Sequence, residues 1–135
     1  MKASLAAGLA GERRLTVDEG RCIAFMGPDN AVYATPQMVN DVEYAIRDFL
    51  LAYLDPGEDS VGTRVVIDHL AATPRGLPVT ILYQVAEVDG RRVRCTFSVR
   101  DPVEECGRGE HERFVVDVGK TRERLANKRA RAGDA

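Results

Sequence analysis

TPQMVNDVEYAIRDFLLAYL, residues 35–54, is the one long helical signal in the chain. Val39, Val42, Ile46, Phe49, Leu50 and Tyr53 recur at three- and four-residue steps, which at about 100° per residue gather into one apolar stripe. Glu43 falls inside that stripe, between Val39 and Ile46. Packing that buries the stripe carries this carboxyl inward, and burying a carboxylate is costly unless it is paired or protonated. Two readings stand side by side: a stripe-edge Glu that snorkels to water or pairs with a nearby Arg, and a catalytic carboxylate. Thr35 followed by Pro36 has the form of an N-cap and N1 residue. Helix capping is therefore the plain role of Thr35, and it is compatible with a catalytic one.

Outward from the helix, Leu15 to Met26 offers short β-like pieces, LTV and CIAFM, split by DEGR. GPDN at residues 27–30 is a dense turn signal leading into the helix. The first dozen residues, small and Gly-containing, predict a loosely packed start. On the other side Asp55-Pro56-Gly57 stops the helix, and a loop runs to Gly62. TRVVIDHLAA then alternates, with Val65, Ile67, His69 and Ala71 on one face and Val66, Asp68 and Leu70 on the other. A histidine in phase with apolar neighbours reads first as a hydrogen-bonded core residue and second as a catalyst.

The remainder reads as an antiparallel meander. A strand over 77–88 meets a hairpin signal at Asp89-Gly90. The next strand sets Val93, Cys95, Phe97 and Val99 against Arg92, Arg94, Thr96 and Ser98, one core face and one wet face. Residues 102–109 connect to a last strand over 113–118, and a basic helix follows over 120–131. His111, in GEHERF among charged neighbours, is expected at the surface. One strand, one long helix and about four antiparallel strands make an α+β domain with the helix laid on the sheet. The edge strand of such a sheet needs cover, which a second copy of the chain supplies naturally.

At 135 residues the chain is read as a single domain over 1–135, large enough for a core without disulfides or metal. A net charge of −2 predicts neither nucleic-acid nor membrane binding. Lys120, Arg122, Arg124, Lys128, Arg129 and Arg131 stand against Glu123 and Asp134 in the terminal segment, 120–135, a pattern usual for a solvated helix face. Cys22, Cys95 and Cys106 lie far apart, as free thiols of a reducing compartment do, and offer no zinc spacing. Without a membrane-length apolar run or a convincing signal peptide, the protein is read as cytoplasmic. Phosphate-loop, dinucleotide, nucleophile-elbow and His-Glu-x-x-His motifs are all missing, and no metal site is expected.

Glu43, Thr35, His69, Gly62 and Arg113 remain, the parts of an acyl-transfer or hydrolysis site. The words PGEDSVGT, then His69-Leu70-Ala71-Ala72-Thr73-Pro74 with Gly76-Leu77, and finally Gly109-Glu110-His111-Glu112-Arg113 resemble the hotdog-fold thioesterases, in the branch that includes fluoroacetyl-CoA thioesterase. The resemblance runs from about Tyr33 to Val118. It implies a hotdog fold, an antiparallel sheet wrapped around one long helix. It also implies hydrolysis of a short acyl thioester of coenzyme A in a homodimer with active sites between subunits. Thr35, Glu43 and His69 match the family's catalytic Thr, Glu and His; Gly62 and Arg113 match its substrate-contacting glycine and arginine. No cofactor is implied beyond the coenzyme A of the substrate. Its phosphates need basic partners, for which Arg91, Arg92, Arg94 and the terminal basic segment are candidates, with surface solvation the commoner role of any one of them.

Eight helical residues rise about 12 Å, so Thr35 and Glu43 meet only if the approach to the helix bends or the site draws on two chains. Pro36 after the threonine and an approach, GPDNAVYA, without phenylalanine depart from the fluoroacetyl enzyme and leave the acyl group open. The competing readings are a non-catalytic hotdog dimer that binds acyl-CoA or a small carboxylate, and an enoyl-CoA hydratase.

Overall fold

Strict alternation makes strand β4 (Arg92–Arg100) the centre of the molecule: Val93, Cys95, Phe97 and Val99 are all buried. In the computed structural model, which describes residues 1–133, β3 (Pro78–Asp89) joins β4 through the expected hairpin at Asp89-Gly90. On the other side of β4 lies β5 (Glu105–Asp117), and beyond it β2 (Glu58–His69) forms one edge of the sheet. β1 (Ala10–Thr16) forms the other edge, giving the order β1-β3-β4-β5-β2 with every pairing antiparallel. The expected strand pieces LTV and CIAFM resolve differently. Only Leu15 and Thr16 of the first fall in β1, because Asp18 accepts from the Arg21 amide and turns the chain into a short 3-10 segment, Glu19–Arg21. A second such turn, Pro28–Asn30, follows.

The connection from β1 to β2 crosses the whole sheet, and the long helix makes that crossing. This helix, α1, runs Thr35–Leu51. Its Met38, Val42, Ala45, Ile46 and Leu50 are fully buried and share one core with Val79, Ile81, Val85, Val93 and Val99. Burial of each large aliphatic side chain there contributes about 1.5–3 kcal/mol. The buried stripe is rotated from the expected one: Met38 and Ala45 lie at its centre, while Val39, Glu43 and Phe49 sit on its flanks, partly buried. Phe49 packs against Tyr53 and Tyr83, with ring centroids 5.4 and 5.0 Å away.

The acid that the helix does bury is Asp41, which accepts from the Tyr33 hydroxyl at 2.5 Å and from Arg21 Nε at 2.9 Å. Burial and the bond to Asp41 push the Tyr33 phenol well above its ordinary value. These bonds fasten the loop before α1 to the helix itself.

The opening residues, expected to be loose, are docked. Leu5 is buried in the core, and the Met1 ammonium pairs with Asp55 and Glu58. Gly8 and Leu9 exchange backbone bonds with Val85 ahead of β1. The basic segment is helix α2, Val118–Gly133, with no buried residue; positions 134 and 135 of that segment lie outside the described residues. No helix among the described residues is long and apolar enough to cross a membrane.

Candidate active site

Thr35 is the first residue of α1, and its side chain does not cap the helix. The N-cap is Ala34, whose carbonyl receives the Gln37 and Met38 amides while no side chain caps the end. With Pro36 lacking an amide proton, one of the orphan donors is removed at source. The Thr35 hydroxyl is left free to turn outward, where Oγ1 lies 2.7 Å from Nδ1 of His69. His69 is the last residue of β2 and shares the inward phase of Val65 and Ile67, as the alternation predicts. Burial lowers its pKa below the ordinary histidine value, against an opposing contribution from the Ala71 backbone, so the ring is neutral near pH 7. Its Nε2 is enclosed and has no partner among the described residues. The pair opens into a hollow of about 420 Å³ lined by Ile23, Phe25, Tyr33 and Leu70. Phe25, 82% exposed, stands over it.

Glu43, Gly62 and Arg113 gather elsewhere. The register of β2 against β5 shifts between Gly62 and Arg64, an irregularity of the kind that re-aims side chains. A β-carbon at Gly62 would lie 3.0 Å from Glu43 Oε1, 3.1 Å from His111 Cε1 and 3.5 Å from Arg113 Nη1. Glycine is what lets the side chains of Glu43, His111 and Arg113 converge on one point of the strand. Glu43, Gly62 and Arg113, together with Asn40, Tyr44 and Ser60, line a cleft of about 510 Å³. Glu43 makes no hydrogen bond and no ion pair within 4 Å among the described residues; the carboxylate is not tied to an arginine.

Arg113 is held firmly. It is buried, donating from Nε to Ser60 Oγ at 2.7 Å and from Nη2 to the Ser60 carbonyl at 2.7 Å. Its Nη1 lies 3.0 Å from His111 Nε2. His111, expected at the surface, is wholly buried. The strand phase explains it: Gly107, Gly109, His111, Arg113 and Val115 all point inward, while Arg108, Glu110 and Glu112 point out. Counting back by twos from Val115 finds His111, a signal that hydropathy hides because the inward set is polar and small.

The five residues singled out in the sequence thus form two groups, Thr35 with His69 and Glu43 with Gly62 and Arg113. α1 is a regular helix through this stretch, and eight residues of it rise about 12 Å, so Glu43 does not reach the Thr35–His69 pair of its own chain. Arg91, Arg92 and Arg94 are each paired with a carboxylate, Glu58, Glu112 with Glu87, and Glu110 respectively.

Chemically, one group offers an unpaired carboxylate beside a buried cation, and the other a hydroxyl hydrogen-bonded to a neutral imidazole. The helix embraced by an antiparallel sheet is shared with a thioesterase superfamily member from Thermus thermophilus at a TM-score of 0.88, covering 98% of this chain and 99% of that one at 24% identity. The fold is the hotdog fold. A structure of a fluoroacetyl-CoA thioesterase matches at a TM-score of 0.84 and 32% identity over 93% of this chain and 98% of that one. A mutant of a fluoroacetyl-CoA-specific thioesterase in complex with fluoroacetate and CoA matches at 0.80 and 34% identity, over 87% and 99%. By sequence, the fluoroacetyl-CoA thioesterase of Streptantibioticus cattleyicolor is 41% identical over 97 residues, 72% of this chain and 70% of the relative. The model of the fluoroacetyl-CoA-specific thioesterase family matches residues 17–119. The chain belongs to that family and is an acyl-CoA thioesterase.

Proposed function

We propose that the protein hydrolyses a short acyl thioester of coenzyme A in a homodimer, each active site joining Glu43, Gly62 and Arg113 of one subunit to Thr35 and His69 of the other. The observation that carries this reading is the division of the site. An unpaired carboxylate and a hydroxyl–imidazole pair stand too far apart in one chain to share a substrate. β2 is an edge strand with Val61 and Val66 exposed, a surface that antiparallel pairing with a second copy would cover. A two-fold axis between Val65 and Val66 sets Gly62 opposite the partner's His69, because both positions lie equally far from the axis. That pairing delivers the missing half to each cleft.

In this arrangement Glu43 either attacks the thioester carbonyl or takes a proton from the water that does. When Glu43 attacks, the carbon–sulfur bond breaks to leave a mixed anhydride that water then cleaves. When Glu43 acts as base, water adds to the carbonyl and the carbon–sulfur bond breaks directly. In both, water supplies the oxygen of the product acid and the proton that ends on the coenzyme A thiolate. The neutral His69 is suited to orient and pass protons, with the Thr35 hydroxyl holding the reacting group. Arg113 and the open backbone at Gly62 receive the acyl end, where negative charge collects on the carbonyl oxygen and then on the product carboxylate. No cofactor takes part; coenzyme A enters as part of the substrate. We place the enzyme in the cytoplasm on its three free cysteines. Pro36 and an approach loop without phenylalanine from Gly27 to Ala34 favour an acyl group other than fluoroacetyl.

Thiol release from a panel of short acyl-CoAs, with halogenated, branched and aryl-acetyl members, tests the reading. Turnover of at least one member, lost in Glu43→Gln, is expected. An inert panel, or a Gln variant as active as the native protein, overturns it.

A further inference from the structure

His111 is a buried, titratable side chain with no part in the chemistry above, and its surroundings fix its state. Nδ1 lies 2.9 Å from the Arg64 carbonyl. A carbonyl only accepts, so Nδ1 carries the proton. Nε2 faces Arg113 Nη1, and a guanidinium only donates, so Nε2 presents its lone pair. Both contacts demand the same neutral tautomer. Of the other neighbours, Cys95 lies opposite on β4 and Val65 opposite on β2, the Arg64 side chain turns away to Glu110, and Glu43, approaching from α1, is the one that favours a charged ring. Burial lowers the pKa of the ring, and the adjacent Arg113 charge adds to the effect, against the Arg64 carbonyl and Glu43.

The consequence falls on Arg113. A guanidinium has five N–H donors; Ser60 takes two and His111 a third. One donor on each terminal nitrogen is left without a partner among the described residues, and Arg113 lines the cleft with Glu43 and Gly62. No carboxylate lies within 4 Å of this buried cation among the described residues, and its hydrogen bonds all go to neutral acceptors.

We propose that His111 is a positioning residue: as a lone-pair acceptor for Arg113 Nη1 it holds the guanidinium in the plane that points its two remaining donors at the acyl oxygen. This rests on the reading of Arg113 as the acyl-end contact. The ring touches no substrate. A protonated His111 would set a donor and a positive charge against Arg113 and release it from that plane.

His111→Leu, Arg113→Met and the double variant are compared with the native protein in thiol release. Each single variant is expected to lose about 100-fold in kcat/KM, the scale of one oriented donor. The double variant is expected to be no worse than Arg113→Met, since the two residues act as one unit. A His111→Leu enzyme as active as the native one, or a double variant in which the two losses multiply, overturns the proposal. Nitrogen-15 NMR of the native protein decides the geometry without any turnover. The His111 ring is expected to be neutral at pH 7 with its proton on Nδ1, and to take up a proton only at lower pH than a free histidine does, with Arg113 guanidinium protons exchanging slowly. A proton on Nε2, or a charged ring near pH 7, overturns the proposal even if the panel is inert; an inert panel with the expected tautomer overturns the hydrolytic reading and with it the role of His111 in turnover, while the hydrogen-bond geometry stands.

Discussion

Asp41 and Glu43 stand two residues apart on α1 and meet opposite fates. Asp41 is buried and accepts from Tyr33 and Arg21, whereas Glu43 sits partly exposed with neither a hydrogen bond nor an ion pair among the described residues. The first is a structural acid and the second an available one. Asp41→Ala should therefore destabilise the fold, by about 1–3 kcal/mol, because the Tyr33 hydroxyl is left buried without an acceptor; chemical denaturation measures it. Glu43→Gln should leave stability nearly unchanged and lower kcat by about 10²–10⁴, the range of a lost acid–base group.

The two histidines make a pH prediction. Both are held below the ordinary value of 6.5, burial being the main cause in each. Below about pH 6.5 the unfolded chain takes up protons that the folded rings still refuse, so stability falls as the pH falls. The lowered carboxyls Asp48, Asp59 and Glu58 act only at lower pH, since their stabilisation is lost as pH drops through their folded values. The melting temperature should decline from pH 7.5 to 5.5, and less so in His69→Gln. A flat profile over that window contradicts the assignment of both rings as neutral in the fold.

At the scale of elements, legibility depended on whether the inward face of a strand was apolar. Val93, Cys95, Phe97 and Val99 announce β4 because hydropathy and pleat coincide. β5 has the same pleat but turns Gly107, Gly109, His111 and Arg113 inward, so its first half read as a connection and His111 as surface. The glycines there are packing features. A β-carbon at Gly109 would lie 1.8 Å from the Val66 carbonyl oxygen across the β2–β5 pair, an overlap that only a shift of backbone relieves. Gly109→Ala should cost about 3 kcal/mol or more and lower the melting temperature steeply. Gly62→Ala meets the flexible end of Glu43 first, and should reduce turnover far more than stability.

The helix was legible as an element and misread in its phase. Periodicity places α1 correctly, but it runs the stripe through Val39 and Phe49 where the fold buries Met38 and Ala45, and the capping role it suggests for Thr35 is one that Ala34 and Pro36 make unnecessary. Residue lettering does not say which flank of a helix the sheet edge will meet. In this chain that flank decides which carboxylate is left free.

For the whole molecule, the family words in the sequence identified the class, and the coordinates supply what words do not: the five residues fall into two groups on one chain. The proposed site requires those groups to meet across two subunits, and mixing two inactive variants tests it directly. Thr35→Ala and Glu43→Gln homodimers each lack one half of every site. When they are unfolded together and refolded as an equal mixture, half of the dimers are mixed, and each mixed dimer holds one site with both halves native. Thiol release is then expected to recover to about a quarter of the native rate, as random pairing in a two-fold dimer requires. A mixture no more active than its parents, with mixed dimers confirmed by mass, would show that Thr35 and Glu43 serve the same site from within one chain and would contradict the shared site.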